Sequence, residues 1–461
     1  MKINAHIFRE YDIRGIVEND FTGDVPYLIG RAYGSEVRAR LGGTPRVAVG
    51  HDNRPSSPHL AKEIIRGIRS AGVDVIDIGT APTPMLYYAT EKLKTDGGLQ
   101  ITGSHNPPEY NGFKMVVRGR ALYGEAIQGL HKRIENDDLL NGSGSYKQQD
   151  IRRTYIDDVG GRFKVKRPLK VVVDCGNGTG SLVAVEMLAK SGAQIIPLYC
   201  DSDGTFPNHH PDPVVDANLR DMIALVKKEK ADIGIAFDGD ADRIGAVDEK
   251  GNIIRGDILL LLYAMDALKR LGAPQKLIFD VKCTQALTDV YEAAGGVPIM
   301  WKTGHSLIKE KMKEEHAPIA GELSGHICFG EDYYGFDDAL YGGCLLIQLV
   351  SRSSRPLSAM VDEFPKYVST AEIRVEVTEE TKFGIVDRAI EHFRANHEVI
   401  DVDGARVLFD GGWGLVRASN TQPVLVLRFE ARTQEQLDKI QHTMYEWMAA
   451  QGVDTSATAA H

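Results

Sequence analysis

The sequence lacks any hydrophobic run long enough to cross a membrane. Its longest apolar stretch, residues 258–265, ends at Asp266, far short of the roughly twenty residues that a membrane span needs. The first residues also lack the apolar core and the small-residue cleavage site of a secretory signal. We therefore expect a cytoplasmic protein without a membrane partner.

Cysteine is scarce and carries no pattern. The five cysteines are odd in number and scattered, and they include no CxxC pair. This distribution predicts buried thiols in a reducing compartment and excludes a disulfide framework. The cysteines are Cys175, Cys200, Cys283, Cys328 and Cys344.

A basic excess is absent too. The chain has 54 basic and 64 acidic residues, a net charge of −10, which argues against nucleic acid as its main partner. Its 43% hydrophobic and 26% charged residues are typical of a globular protein. At about 150 residues per domain, the 461 residues predict three or four domains.

One pattern recurs along the first three quarters of the chain. A short β-branched strand ends in an acid and is followed by a polar loop and then an apolar-periodic helix; residues 46–72 show it most fully. The strand and loop return at residues 170–180 and 276–284. Apolar strands alternating with helices predict parallel sheets covered on both faces. We therefore expect three related α/β domains with mainly parallel mixed sheets; that they surround a central cleft is implied only by the resemblance described below.

The predicted boundaries rest on weaker signals. Residues 141–145 resemble a linker, residues 248–252 resemble a hairpin turn, and Pro365 should end a last helix. After Pro365, two strands (371–377 and 424–429) and a helix (434–448) predict a smaller, mixed α+β domain. The expected domains are residues 1–149, 150–253, 254–365 and 366–461.

The strongest chemical signal lies at residues 238–243, Asp-Gly-Asp-Ala-Asp-Arg, directly after an apolar strand. Three carboxylates at alternate positions repel one another unless a hard divalent cation lies among them. A calcium-binding loop of the EF-hand type is disfavoured, because Arg243 stands at the position of the loop's obligatory glycine. Glu249 does stand at the position of that loop's last acidic ligand. A haloacid-dehalogenase-like motif fails because its fifth residue here is Asp242. The remaining alternative is a solvated acidic turn.

A serine-containing turn follows another strand. Residues 101–114, from Ile-Thr-Gly-Ser to Phe-Lys, place Ser104 where α/β proteins place their chemistry. The alternative is a proline-rich turn in which Ser104 and Asn106 only bond the backbone. No GxSxG motif is present, which disfavours serine-hydrolase chemistry.

Two further segments carry polar clusters. Glu322, Ser324 and His326 alternate between glycines, which predicts one face of an extended segment suited to sugar hydroxyls. Residues 413–423 predict a loop rich in donors that suits a phosphate, or else a hydrogen-bonded turn. Residues 175–180 lack the GxGxxG spacing and a Walker lysine, and they predict a structural glycine turn.

With these segments, the chain resembles the α-D-phosphohexomutase superfamily, and in particular its bacterial phosphomannomutase/phosphoglucomutase group. The motifs occur in the family's order at residues 102–107, 238–243, 321–326 and 417–421, with an N-terminal motif at 9–15. The resemblance implies that Ser104 is carried as a phosphoserine. The residues that it implies around Mg²⁺ are Ser104, Asp238, Asp240 and Asp242.

The resemblance also implies the binding residues. Glu322 and Ser324 would bind sugar hydroxyls. The residues implied to hold the phosphate that is not reacting are Arg417, Ser419, Asn420 and Thr421. The other residues implied to line the cleft are Tyr11, Arg14, Lys114, Arg243, Lys282, His305 and His326.

The implied activity is reversible phosphoryl transfer between C1 and C6 of hexose phosphates, with a hexose 1,6-bisphosphate as intermediate and activator. Arg243 would stabilise the transferring group. Lys114 is the candidate acid and His326 or Arg14 the candidate base, and the sequence does not rank them. A metal-dependent phosphatase, a phosphoglucosamine mutase and a non-catalytic sugar-phosphate binder are the alternatives. The sequence leaves three properties open. They are the preferred sugar (glucose or mannose), the metal ion (Mg²⁺ or Mn²⁺) and the oligomeric state (monomer or small homo-oligomer).

Overall fold

The computed structural model describes residues 3–420 and 422–455. These residues form four β-sheets, of seven, five, four and six strands, that follow one another along the chain. Helices pack against each sheet. The part of the chain that is described contains no helix long and apolar enough to cross a bilayer.

The first sheet is mixed. Its order is β1-β5-β4-β2-β3-β7, with β6 beside β5; β2, β3, β4 and β7 pair in parallel, and β1, β5 and β6 join antiparallel. The strands are β1 (Ile13–Ile16), β2 (Arg46–His51), β3 (Asp74–Thr80), β4 (Gly97–Ile101), β5 (Tyr110–Val117), β6 (Arg120–Ala121) and β7 (Tyr146–Gln148). The helices are α1 (Val17–Asp20), α2 (Val25–Leu41), α3 (Ser57–Ser70), α4 (Thr83–Lys92) and α5 (Glu125–Glu135).

The second sheet has the order β12-β11-β10-β8-β9, parallel at its centre with an antiparallel hairpin at one edge. Asp248 N donates to Asn252 O at 3.0 Å, so the predicted hairpin turn is confirmed. The strands are β8 (Lys170–Asp174), β9 (Gln194–Leu198), β10 (Ile233–Phe237), β11 (Ile244–Asp248) and β12 (Ile253–Ile254). The helices are α6 (Arg152–Gly161), α7 (Ala184–Ala189) and α8 (Arg220–Glu229).

The third sheet repeats this plan in the order β14-β13-β15-β16, with β16 antiparallel at the edge. Its strands are β13 (Lys276–Asp280), β14 (Val297–Trp301), β15 (Ile319–Gly321) and β16 (Ile327–Phe329). Its helices are α9 (Gly256–Leu271), α10 (Gln285–Ala293), α11 (His305–Glu315), α12 (Ala339–Arg352) and α13 (Leu357–Val361). The last helix ends at Val361, so the expectation that Pro365 ends it was wrong by one turn.

The fourth sheet is antiparallel throughout, in the order β17-β22-β21-β20-β19 with β18 also beside β22. Its elements are β17 (Val368–Ser369), β18 (Ile373–Glu376), α14 (Lys382–Arg394), β19 (Glu398–Ile400), β20 (Ala405–Phe409), β21 (Gly412–Ala418), β22 (Val424–Ala431) and α15 (Gln434–Ala450). The predicted fold class, three related α/β units and a mixed α+β unit, is confirmed. The boundaries at 149, 253 and 365 stay predictions.

Hydrophobic packing joins the first three units more closely than the fourth. One large core cluster runs from Ala48 to Leu357 and includes residues of the first three sheets. The fourth sheet has its own core and meets the third through a small cluster of Val281, Trp413 and Leu415. Three segments with candidate site residues directly follow strands of the first three sheets. The serine turn (residues 102–107) follows β4, the aspartate loop (238–243) follows β10, and the sugar turn (322–325) follows β15. These are the carboxyl ends of parallel strands, where α/β proteins place their binding loops.

Candidate active site

Ser104 lies in a strained turn directly after β4. Its φ is +49°, a left-handed conformation that is uncommon for any residue but glycine. The side chain is buried. Its Oγ donates to Asp238 Oδ2 at 2.9 Å and lies 3.1 Å from His105 Nδ1. The turn thus presents the serine hydroxyl to the aspartate loop of the second unit.

The aspartate loop, residues 238–243, is a tight turn. Ala241 has a φ of +57°, and Asp238 Oδ1 accepts the backbone N–H groups of Asp242 and Arg243, each at 3.1 Å. All three aspartates are fully buried. One carboxylate oxygen from each lies within 4.8 Å of the others.

The charges of this cluster are only partly balanced by protein groups. Lys114 Nζ lies 2.8 Å from Asp240 Oδ2 and 2.5 Å from Asp242 Oδ2. Burial alone would lower the pKa of Lys114. The charges of Asp240 and Asp242 outweigh this effect of burial and raise the Lys114 pKa well above its usual range. Burial, followed by the charges of Asp240 and Asp242, raises the pKa of Asp238 well above its usual range.

The cluster fits a hard divalent cation. Among the described residues, Asp240 Oδ1 and Asp242 Oδ1 are buried and have no hydrogen-bond partner. Buried polar atoms without a partner are rare in proteins, and carboxylate oxygens are the ligands that such cations prefer. The residues that could hold a metal are therefore Asp238, Asp240 and Asp242, with Ser104 beside them.

A histidine and an arginine connect this cluster to the third unit. Arg243 Nε donates to His326 Nε2 at 3.0 Å, and His326 Nδ1 lies 3.0 Å from Asp337 Oδ2. Lys309 Nζ donates to Asp337 Oδ1 at 2.8 Å. The His305 ring stacks on His326 at 5.1 Å, and burial lowers the His305 pKa well below its usual range.

Sequence reasoning missed Asp337 and Lys309. Lys309 lies four residues after His305 on α11, so helical periodicity could have placed both on one face. Asp337 carries no comparable signal, because it lies in an irregular segment between β16 and α12.

The sugar segment corrects one expectation. Residues 322–325 form a turn between β15 and β16, in which Gly325 N donates to Glu322 O at 3.0 Å. Glu322 and Ser324 therefore do not lie on one face of an extended segment. Glu322 is buried, and its Oε1 accepts the Gly304 N–H at 2.6 Å. Ser324 lines the cleft.

The phosphate segment differs from the prediction as well. Arg417 lies on β21, not in a loop, because residues 412–418 pair with β20 and β22. Its Nε donates to Asp403 Oδ2 at 3.0 Å. The loop begins only at Ser419, whose carbonyl oxygen accepts from Lys382 Nζ at 2.7 Å. Thr421 lies outside the described residues.

Tyr11 of the first unit contacts both the third and the fourth unit, close to Asn420. Its hydroxyl donates to Thr303 O at 2.8 Å and accepts from Asn420 Nδ2 at 2.7 Å. Nearby, Lys282 Nζ donates to Glu372 Oε2 at 3.1 Å. Burial raises the pKa of Tyr11 to about 12, so the hydroxyl keeps its proton at neutral pH.

A cavity of about 950 Å³ lies between the four units. Most of the predicted site residues line this cavity. Glu322 and the three aspartates do not line it, and their side chains are buried. The predicted residues that line it are Tyr11, Arg14, Ser104, Lys114, Arg243, Lys282, His305, Ser324, His326, Arg417, Ser419 and Asn420.

Several further polar residues line the cavity and were not predicted as site residues. Asn106 belongs to the serine motif and accepts from Arg14 Nη1, so its position in that motif was a usable signal. Arg9 belongs to the N-terminal motif at 9–15, which was a usable signal as well. Other charged residues of the cavity wall carry no comparable pattern in the sequence. They include Asp212, Arg255, Glu372, Arg374 and Arg428.

Fold and cavity together define a four-unit α/β protein with a buried serine, a metal-compatible carboxylate cluster and a cationic cleft. Four family models match the chain in order. They are "Phosphoglucomutase/phosphomannomutase, alpha/beta/alpha domain I" at residues 5–141, domain II at 153–251, domain III at 255–367 and the C-terminal domain at 372–446. The chain belongs to the phosphoglucomutase/phosphomannomutase family.

Individual relatives agree over nearly the whole length. A phosphomannomutase/phosphoglucomutase from Pseudomonas aeruginosa is 49% identical over 98% of this chain and 97% of its own. A phosphoglucomutase from Neisseria meningitidis serogroup A is 46% identical over 95% of this chain and 96% of its own. The crystal structure of a family protein from Burkholderia thailandensis matches with a TM-score of 0.91 at 45% identity, covering 97% of this chain and 98% of that one.

Proposed function

We propose that this protein is an isomerase that reversibly transfers a phosphoryl group between C1 and C6 of mannose and glucose phosphates. The observation that carries the proposal is the position of Ser104 Oγ, 2.9 Å from Asp238, in a cavity that all four units line. The curated relatives named phosphomannomutase and phosphoglucomutase support the same conclusion. A phosphatase and a phosphoglucosamine mutase are less favoured.

Ser104 is the proposed carrier of the phosphoryl group. In the first step, phospho-Ser104 gives its phosphoryl to the free hydroxyl of a hexose 1- or 6-phosphate, and the serine oxygen leaves. The product is a hexose 1,6-bisphosphate. After the sugar has turned, Ser104 Oγ takes the other phosphoryl, so the enzyme regains its starting state.

Asp238, Asp240 and Asp242 would hold Mg²⁺ together with an oxygen on phospho-Ser104. When bound, the ion neutralises charge on the transferring group and makes its phosphorus a better electrophile. The three carboxylates would hold the ion, and one of them, Asp238, accepts from Ser104 Oγ. Arg243 and Lys114 add positive charge near the same group.

The two ends of the hexose phosphate need different partners. Glu322 and Ser324 are the proposed contacts for its hydroxyls, while Lys282, His305 and Tyr11 line the adjoining wall. The residues proposed to hold the phosphate that is not reacting are Arg417, Ser419, Asn420 and Thr421. Because this phosphate site belongs to the fourth unit, it can receive either end of a sugar that turns within the cavity.

Proton transfer must accompany attack by the hydroxyl. Lys114 is a candidate acid, and its ammonium group, held between Asp240 and Asp242, also adds positive charge beside the transferring group. His326 and Arg14 remain the candidate bases. In this arrangement His326 Nε2 accepts from Arg243, and Arg14 donates to Asn106 and Asp12, so either base must exchange a partner before it acts.

The partners are hexose phosphates, with a hexose 1,6-bisphosphate as activator. A location in the cytoplasm, an oligomeric state of monomer or small homo-oligomer, and the absence of a nucleic-acid partner stay predictions. The five cysteines are free thiols, as a reducing compartment would keep them.

A coupled assay tests the proposed activity. We expect mannose 1-phosphate and glucose 1-phosphate each to yield the 6-phosphate when Mg²⁺ and a trace of glucose 1,6-bisphosphate are present. The Ser104→Ala variant should bind hexose phosphate and form no product. Release of inorganic phosphate without isomer would indicate a phosphatase, and binding without either product would indicate a non-catalytic protein.

A further inference from the structure

We propose that Arg54 is a positioning residue that holds the serine turn in register with the aspartate loop and thereby sets the rate of phosphoryl transfer. The inference rests on the proposed function of Ser104. Arg54 lies between β2 and α3 and is fully buried. It is not among the residues that line the cavity.

The Arg54 guanidinium donates to four backbone carbonyls around the serine turn. Its Nη2 donates to Ser104 O at 2.9 Å and to Asn106 O at 2.5 Å. Its Nη1 donates to Pro107 O at 2.5 Å and to Tyr110 O at 3.1 Å. One rigid planar group thus fixes the turn from its central residue to the strand that follows.

Asp52 completes this support. Its Oδ2 lies 3.2 Å from Arg54 Nε and accepts the Gly103 N–H at 2.9 Å, so the residue before the serine is held as well. Its Oδ1 accepts the Arg54 N–H at 3.0 Å and the Ser57 hydroxyl. The pair Asp52–Arg54 therefore neutralises its own charge and spans both sides of Ser104.

Arg54 also touches the second unit, which carries the aspartate loop. Its Cζ lies 5.1 Å from the centre of the Phe206 ring, within the range of a cation–π contact. A Cβ on Gly204 would lie only 2.6 Å from Arg54 Cα. On the other side, a Cβ on Gly239 would lie 2.4 Å from Ser104 O, so the serine carbonyl is enclosed between Arg54 and the aspartate loop.

The strained turn explains why such support matters. A residue with positive φ persists only where its surroundings over-determine the conformation, and the φ of Ser104 is +49°. Lysine keeps the charge but offers donors on a single atom, so it cannot reach four carbonyls as a planar guanidinium does. Displacement of the turn by about 1 Å is enough to cost roughly a hundredfold in rate.

The Arg54→Lys variant tests the inference, with Arg31→Lys as the matched control. Arg31 is on α2 in the same unit and also donates to backbone carbonyls, those of Leu139 and Leu140, but it does not line the cavity. We expect Arg54→Lys to lower kcat by roughly a hundredfold while KM for glucose 1-phosphate changes by less than about twofold. Arg31→Lys should keep both constants.

Hydrogen–deuterium exchange gives a second readout that does not depend on turnover. In Arg54→Lys, exchange should accelerate at residues 102–107 and stay unchanged at β21. An unchanged kcat, an equal rise in KM, or faster exchange throughout the chain would each overturn the inference. A wild-type protein that forms no isomer would instead refute the proposed function, and the exchange result would still decide the role of Arg54.

Discussion

At the scale of single residues, burial is what makes the candidate site chemically informative. Asp238, Asp240 and Asp242 are fully buried, yet Lys114 is the one lysine in direct contact with them among the described residues. Uncompensated buried charges are costly. A cation beside Asp240 Oδ1 and Asp242 Oδ1, which accept no hydrogen bond from the described residues, would remove much of that cost, and metal binding is therefore the first property to test.

Asp240→Asn should weaken Mg²⁺ binding by at least about tenfold, because it removes one negative charge and one of the carboxylates with a free oxygen. Isothermal titration calorimetry with Mg²⁺ measures the affinity directly. Asp248→Asn is the control, since Asp248 is also buried in the second unit but bonds the amides of its own hairpin. Equal Mg²⁺ affinity in the two variants would contradict the assignment of the metal site.

The same residue scale shows where sequence reasoning works. The aspartate trio was predictable from the residues alone, because three acids at alternate positions have few stable arrangements. Ser104 was not, since spacing alone left a plain turn as an equal alternative, and its role came from the resemblance. Arg54 and Asp337 carried no signal, because their contacts join segments that are distant in sequence.

At the scale of elements, strands were easier to predict than the turns between them. The apolar strands ending in Asp174 and Asp280 were visible because buried parallel strands are continuously apolar. The sugar segment was mistaken for an extended strand because alternation at residues 322–326 also fits a turn whose ends pair as β15 and β16. Arg417 was placed in a loop, although pairing with two neighbouring strands extends β21 through it.

The start of α12 provides a pH test at this scale. Asp338 caps the helix by accepting the Tyr341 N–H at 2.9 Å, and it also accepts the hydroxyls of Tyr155 and Tyr333. Burial raises its pKa from 3.8 to about 6. As pH rises, the Asp338 carboxyl loses its proton at a lower pH in the unfolded chain than in the folded one. The contribution of Asp338 to the free energy of unfolding is therefore fully present below pH 3.8 and is lost as pH rises through about 6.

The loss amounts to about 3 kcal/mol. Asp338→Asn removes the ionisation, so its free energy of unfolding relative to wild type should increase as pH rises from about 4 to about 7. Urea unfolding across this range measures the difference. Asp387→Asn, on the exposed face of α14, should show no such trend, and a constant difference for Asp338→Asn would contradict the raised pKa.

At the scale of the whole molecule, one shared hydrophobic core holds three units together, while the fourth unit has its own core. The fourth unit contacts the third through a small apolar cluster and through several hydrogen bonds, among them those of Arg406 and Arg428 to backbone carbonyls. Tyr11 of the first unit reaches both Thr303 of the third and Asn420 of the fourth. The expected closure of the fourth unit over the sugar would carry the proposed phosphate site with it. Closure would keep water from phospho-Ser104.

The layout of four units followed from the recurring strand–loop–helix pattern and the change of pattern after Pro365. Their convergence on one cavity did not follow, because segments near residues 104, 240, 322 and 417 are far apart in sequence. Only the order of the motifs, matched to a known family, indicated that they meet. The distances between side chains required the folded chain.

The most direct test follows one labelled phosphoryl group. Enzyme carrying a labelled phosphoryl on Ser104 is mixed with unlabelled glucose 1-phosphate for a single turnover. We predict that the label appears on O6 of glucose 6-phosphate, while Ser104 gains the unlabelled phosphoryl from C1. Label that stays on the protein while isomer forms, or that is released as inorganic phosphate, would contradict the account.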